Sequence, residues 1–242
     1  MKVSDFRNLQ PGTALDAVDT AVSEPLIPKT ARQVLLDLRF WMVSVYYFLF
    51  FGLETAMDAA LPQFLYGLFV SSNFTAEDAA FAASTYSLLN LFFRPLGGVL
   101  ADLLYKRFRP MGLGVRAKVM FTVINNILQG LFLIGLGLHV NHSAKPTIGT
   151  VLGFIVLIAA FGFMANAGAY AVYGHLRPKN VGIVAGLVGS GGSIGGLAYT
   201  AMFKYHPGKK ATQTLGDKLI IAGFINALGI AIFGWVPLGD AV

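Results

Sequence analysis

The sequence predicts an all-α, polytopic membrane protein, and three observations carry that prediction. Apolar residues make up 55% of the chain and charged residues only 12%, with a mean hydropathy of +0.65. Soluble domains carry about 25% charged residues. The apolar residues gather into six runs, each near the roughly 20 residues that cross a bilayer as a helix. These runs do not alternate apolar with polar, as the strands of a closed membrane barrel must.

The runs are 40–61, 79–102, 119–139, 148–173, 181–203 and 219–236. They divide the chain into a polar segment, 1–38, and a six-helix membrane domain, 39–242. The first segment stays polar to Asp37 and lacks the short apolar core of a signal peptide. Pro62 is expected to kink the first span before Gln63–Ser72 continue towards the surface. Only Gly174–Asn180, a short basic turn, separates the fourth span from the fifth. The chain has no cysteine, so disulfides are excluded.

The net charge of +6 lies mostly in loops. One set of loops holds Lys2, Arg7, Lys29, Arg32, Arg39, Lys106, Arg107, Arg109, Arg116, Lys118, Arg177 and Lys179. The other holds Lys145, Lys204, Lys209, Lys210 and Lys218. Twelve against five places both termini in the cytoplasm by the positive-inside rule. The basic run from Lys106 to Lys118 is then topogenic and faces anionic lipid, not nucleic acid. Two glycosylation sequons, at Asn73 and Asn141, fall in expected outer loops.

Three faces stand out at helical spacing. On the first span Tyr47, Phe51, Glu54 and Asp58 share one face, two aromatics followed by two acids. Either the acids are hydrogen-bonded within a packed bundle, or the stripe lines a water-filled pathway. On the second span Ser87, Asn90 and Arg94 share a face. Arg94 sits in the otherwise uncharged run from Ala79 to Ala101, where a guanidinium costs about 2.5–3.5 kcal/mol on insertion scales. It either pairs with Glu54 or Asp58 or binds an anion, and its fork of parallel N–H donors suits a planar oxyanion. Pro95 frees the carbonyl of Leu91, and Gly97 and Gly98 open the backbone to close approach.

On the fifth span Gly182, Gly186, Gly189, Ser193 and Gly196 share a third face. A face without side chains admits another helix, or a small substrate, against bare backbone. Gly191, Gly192 and Gly195 exceed what one packing face requires, which favours mobility or substrate approach. No strand precedes this cluster and it does not match a nucleotide loop. Asn125, Gln129 and Asn166 are able to hydrogen-bond between helices, with packing the favoured role for each. The four histidines, His139, His142, His175 and His206, lack ligand spacing. No metal, cofactor, catalytic triad or phosphate loop is expected, and an enzyme is disfavoured.

Taken together these motifs resemble the C-terminal half of a eukaryotic-type nitrate/nitrite porter of the major facilitator superfamily. Gly186-Leu-Val-Gly189-Ser-Gly-Gly-Ser-Ile-Gly195-Gly196 resembles the family's glycine-rich signature on the eleventh helix. Phe93-Arg94-Pro95-Leu96-Gly97-Gly98, ending at Asp102, resembles the arginine-bearing eighth helix. Gly52-Leu53-Glu54-Thr55 resembles the start of the seventh, and Gly114-Val115-Arg116-Ala117-Lys118 the loop before the ninth. The resemblance runs from about Arg39 to Leu238.

The resemblance implies nitrate, or nitrite, as substrate and the plasma membrane as location. It implies that Arg94 binds the anion, that Tyr47 and Phe51 contact and cover it, and that the backbone approaches it at Gly186 and Gly189. One of those glycine positions is a serine in bacterial members and Gly189 here, which removes a side-chain hydrogen bond. Asp102 with Lys106 and Arg107 resembles the superfamily's cytoplasmic gating motif. The family has twelve spans in two halves with the site between them; six spans therefore imply a missing N-terminal half or a partner chain. Moving an anion inward against an inside-negative potential costs about 2.3 kcal/mol per 100 mV. Uptake then requires more than one co-transported proton, or exchange for an internal anion. Glu54 and Asp58 are the candidate proton carriers. The alternative is a half-transporter that does not transport and serves as assembly partner to another membrane protein.

Overall fold

The computed structural model describes residues 32, 34–71, 74–143, 145–176, 181–205 and 211–233. Lys2, Arg7, Lys29, Arg177, Lys179, Lys209, Lys210 and the Asn73 sequon lie outside the described residues. The chain divides into two units, Met1–Asp37 and Leu38–Val242, and the second is the helical bundle.

Among the described residues that bundle has six long helices: α1 Leu38–Phe69, α2 Ala76–Phe108, α3 Gly114–His142, α4 Ile148–Leu176, α5 Val181–Tyr205 and α6 Ala211–Phe233. A single 3-10 turn, Arg109–Met111, follows α2. The first five are long and apolar enough to cross a membrane, and α6 carries the sixth apolar run after Asp217 and Lys218. The protein is an all-α polytopic bundle, as the composition predicts. Helix α1 runs through Pro62 as one element of 32 residues, roughly 48 Å at 1.5 Å per residue. At the start of α2 Thr75 and Asp78 form a reciprocal capping box, which satisfies two N–H groups that the first turn leaves open.

Helix α1 packs mainly on α5, α2 on α4, and α3 on both α4 and α6, whereas the sequence neighbours α4 and α5 barely touch. On α2 the buried residues Ala79, Ala83, Tyr86, Gly97 and Ala101 repeat at helical spacing, and Asn90 and Arg94 fall on that same inward face. Leu88, Phe92, Leu96, Val99 and Leu103 form an exposed apolar stripe opposite it. The charge is thus turned towards the bundle and the leucines away from it.

Helix α5 corrects one expectation. A Cβ at Gly182, Gly186 or Gly189 would meet nothing within 4 Å, so that face is open along these residues, while at its far end one on Gly196 would lie 3.3 Å from Thr55 Cβ of α1. Packing uses the opposite face, where Val184, Val188 and Tyr199 are buried and Gly192 and Gly195 meet α1. A Cβ on Gly192 would come within 2.6 Å of both the Tyr47 and Phe51 rings, and one on Gly52 within 2.7 Å of the Gly195 Cα. The extra glycines are the packing surface, because only bare backbone lets the two helices approach this closely. The Asn141 sequon is also displaced: it lies in the last turns of α3, where its Nδ2 donates to Asp217 Oδ1 at 2.7 Å.

Candidate functional site

The inward faces of α1, α2 and α4 meet around Glu54. This residue is 7% exposed, and its carboxylate accepts from three side chains. Arg94 Nη2 donates to Oε1 at 3.0 Å and to Oε2 at 2.9 Å. Asn90 Nδ2 donates to Oε1 at 3.0 Å and Asn166 Nδ2 to Oε2 at 2.7 Å. One turn further along α1, Asp58 Oδ1 accepts from Ser87 Oγ at 2.7 Å. Of the two sequence alternatives for a protein partner of Arg94, the structure selects Glu54.

Magnitudes show why neither charge stands alone. An unpaired arginine at this depth costs about 2.5–3.5 kcal/mol; an ion pair at 4 Å returns about 4 kcal/mol at an effective dielectric of 20, which the burial of the Glu54 carboxylate in turn offsets. The two asparagines occupy the remaining lone pairs of the carboxylate, which an ion pair in apolar surroundings requires. Arg94 is not fully enclosed: its side chain is 34% exposed. It lines a cavity of about 490 Å³ together with Gly98, Asp102, Ala167, Tyr170 and Ala171. Gly97, one residue before the cavity, has its Cα against the Met164 backbone of α4, which brings α2 and α4 together at that level.

The aromatic pair lies beside this cavity. Tyr47 and Phe51 stack on one another, centroids 4.8 Å apart and planes inclined by 15°, so no slot is open between the two rings. Tyr47 is buried and its hydroxyl donates to that of Tyr170, a residue of the cavity wall. The structure therefore joins Arg94, Glu54, Asn90 and Asn166 directly, and Tyr47 and Phe51 through Tyr170. Gly186 and Gly189 are on the open face of α5. Asp102 pairs with Lys118 Nζ at 2.8 Å, whereas Lys106 and Arg107 are exposed on the last turn of α2.

The sequence offers Asn166 as an interhelical hydrogen-bonding residue without naming its partner, and Tyr170 carries no expectation. They stand at i and i+4 on one face of α4, a polar pair in an apolar helix.

No family model matches the chain. Among curated proteins it is 28% identical over 206 residues to nitrate transporter 2.1 of Chlamydomonas reinhardtii, covering 84% of this chain and 35% of that protein. It is 30% identical over 179 residues to a probable nitrate/nitrite antiporter of Thermus thermophilus, covering 69% and 38%. It is 28% identical over 160 residues to elsinochrome transporter 1 of Elsinoe fawcettii, covering 66% and 29%. The chain spans about a third of the length of these relatives. From algal and bacterial relatives alike, and from the motifs on α1, α2 and α5, the chain belongs to the nitrate/nitrite porter family of the major facilitator superfamily.

Proposed function

We propose that this chain is the C-terminal six-helix half of a secondary transporter for nitrate or nitrite in the plasma membrane, with both termini cytoplasmic. It works by alternating access against a second six-helix half, which completes the site from the open side. Arg94 neutralises and orients the anion, Tyr47 and Phe51 form an aromatic wall beside it, and Gly186 and Gly189 offer bare backbone across the site. Transport is coupled to protons, with Glu54 or Asp58 as carrier, or proceeds by exchange with an internal anion. Asp102, Lys106 and Arg107 act at the cytoplasmic end of α2 as the gate. The chain is not an enzyme; its relatives bear the names of transporters.

The observation that carries this reading is Arg94, a cation on the inward face of an apolar helix with a third of its side chain open to a cavity. A purely structural pair has no need of that opening. The reading is tested by nitrate binding to the purified chain and to Arg94→Lys. Lysine keeps the charge but loses the planar fork, so affinity falls at least about tenfold, or 1.4 kcal/mol. Equal binding by both would remove Arg94 from the site.

The second reading, a non-transporting assembly partner, draws on the Arg94–Glu54 pair itself, which satisfies the guanidinium charge within the chain. Nitrate binding by the wild-type chain separates the two.

A further inference from the structure

A guanidinium has two edges that present a pair of donors to a planar anion, Nε with Nη2 and Nη1 with Nη2. Nη2 belongs to both. In this structure Nη2 of Arg94 is the atom bound to Glu54, contacting both carboxylate oxygens. Arg94 Nε is buried and has no acceptor. A planar oxyanion that forks onto Arg94 must therefore share or take the nitrogen that neutralises Glu54.

We propose that the Glu54 carboxylate is a built-in competitor for the anion site, so that anion binding at Arg94 and protonation of Glu54 are one coupled event. The inference rests on the anion-binding reading of Arg94 and adds its coupling. The exchange balances: ionised Glu54 paired with Arg94, plus one anion and one proton, becomes neutral Glu54 beside an anion paired with Arg94. The Arg94–Glu54 pair and the Arg94–anion pair carry the same net charge. The apolar surroundings are never asked to bury an additional one.

The neighbours of Glu54 fit both states. The charged and titratable groups facing it are Arg94 and Tyr86 of α2 and Asp58 of its own helix, while α4 contributes the uncharged Asn166. Arg94 is the one cation among these groups. Once an anion occupies Arg94, Glu54 and Asp58 are two neighbouring carboxylates without a cation. A buried carboxylate so placed takes up a proton. The acceptor that this proton needs is in place: Oδ1 of Asn166 is buried and has no donor, on the same amide whose Nδ2 bonds Glu54 Oε2. An amide and a protonated carboxyl can bond reciprocally, N–H to carboxyl oxygen and O–H to amide oxygen. One proton per anion makes this step electroneutral, and a step driven by membrane potential needs a second carrier.

The test titrates nitrate into the detergent-purified chain across a range of pH in weak buffer, reading affinity by calorimetry and proton uptake by a pH indicator. Wild type takes up one proton per nitrate, and its affinity weakens by up to about tenfold per pH unit where Glu54 ionises. Glu54→Gln, a mimic of the neutral carboxyl, binds with the wild-type acid-side affinity at every pH and takes up no proton. Asn90→Ala removes one donor from the ionised carboxylate, so the weakening begins at higher pH with its slope retained; an unchanged onset counts against the proposal. Nitrate binding without proton uptake, with the same pH profile in wild type and Glu54→Gln, overturns the competition and leaves the anion site standing. Absence of nitrate binding in wild type, Glu54→Gln and Arg94→Lys alike, in the chain alone and also with its second six-helix half present, overturns the anion site itself, and the competition with it.

Discussion

Lys118 Nζ lies 2.8 Å from Asp102 Oδ1 and 4.7 Å from the centre of the Tyr105 ring, so one ammonium ties the start of α3 to the end of α2. The pair is asymmetric: the lysine side chain is 6% exposed and the aspartate 63%. Removing the lysine leaves a carboxylate that water can solvate, whereas removing the aspartate leaves a buried ammonium on an aromatic face. Asp102→Ala is therefore expected to destabilise the bundle by about 2 kcal/mol and Lys118→Met by less than about 1 kcal/mol. Thermal unfolding in detergent measures both. The reverse order would mean that the ammonium is held mainly by contacts other than Asp102, the Tyr105 ring first among them.

In the Arg94–Glu54 pair the acid is the buried member, its side chain 9% exposed against 34% for that of the arginine. Glu54→Ala strands a guanidinium that water partly solvates and is expected to cost about 2 kcal/mol, below the range for a fully buried pair. Replacing both members, Glu54→Leu with Arg94→Met, removes the charge and its partner together and costs less than the single change, since apolar residues of similar volume suit this environment. Unfolding midpoints of the two proteins decide it. A double variant weaker than Glu54→Ala would show that Asn90 and Asn166 need the carboxylate more than Arg94 does.

Much of this geometry was legible in the sequence because it follows from helical period alone. The stripe Tyr47, Phe51, Glu54, Asp58 and the stripe Ser87, Asn90, Arg94 require only a spacing of three or four residues; Tyr47, Glu54, Asn90 and Arg94 turn inward, whereas Asp58 and Ser87, bonded to one another, are exposed. Which stripe meets which is a tertiary matter. Nothing local in α4 marks Asn166 as the residue that reaches Glu54, since that depends on α4 crossing α2 at Gly97 and Met164. The glycines of α5 show the same limit. Two glycine faces are present in the sequence, and spacing cannot rank them. The rank comes from α1, where the Phe48 backbone fills the space that a side chain at Gly195 would need and the Tyr47 and Phe51 rings fill the space that one at Gly192 would need. Lys118 was read as a topogenic charge for the same reason: its burial depends on Tyr105 and Asp102 of the preceding helix.

The hydroxyl contact between Tyr47 and Tyr170 yields a narrower prediction. Tyr47→Phe keeps the ring and its stacking on Phe51 but removes one bond from the hydroxyl of Tyr170, a residue exposed enough for water to replace that bond. Stability is expected to fall by about 1 kcal/mol or less. If the aromatic wall acts through its rings, nitrate affinity stays within about twofold, under 0.5 kcal/mol. A large loss of binding at unchanged stability would instead assign the hydroxyl pair to the anion.

The two glycine faces of α5 give the sharpest separation of folding from function. A methyl group at Gly195 would collide with the carbonyl oxygen of Phe48 and with its backbone carbons 2.9 Å away, and neither helix can yield without moving the other. Gly195→Ala is expected to cost about 1–3 kcal/mol, the usual range for overpacking. At Gly186 and Gly189 the same methyl group meets nothing within 4 Å. Alanine there should stabilise the helix by up to about 1 kcal/mol through backbone entropy alone. If these glycines admit the anion to bare backbone, Gly186→Ala and Gly189→Ala raise the unfolding temperature while weakening nitrate uptake in the complete two-half transporter. Measuring both quantities on the same variants isolates the roles. A rise in stability with uptake unchanged would place the open face against lipid or a partner helix, away from the substrate. A fall in stability at Gly186 would mean that the second half packs there as closely as α1 packs on Gly195.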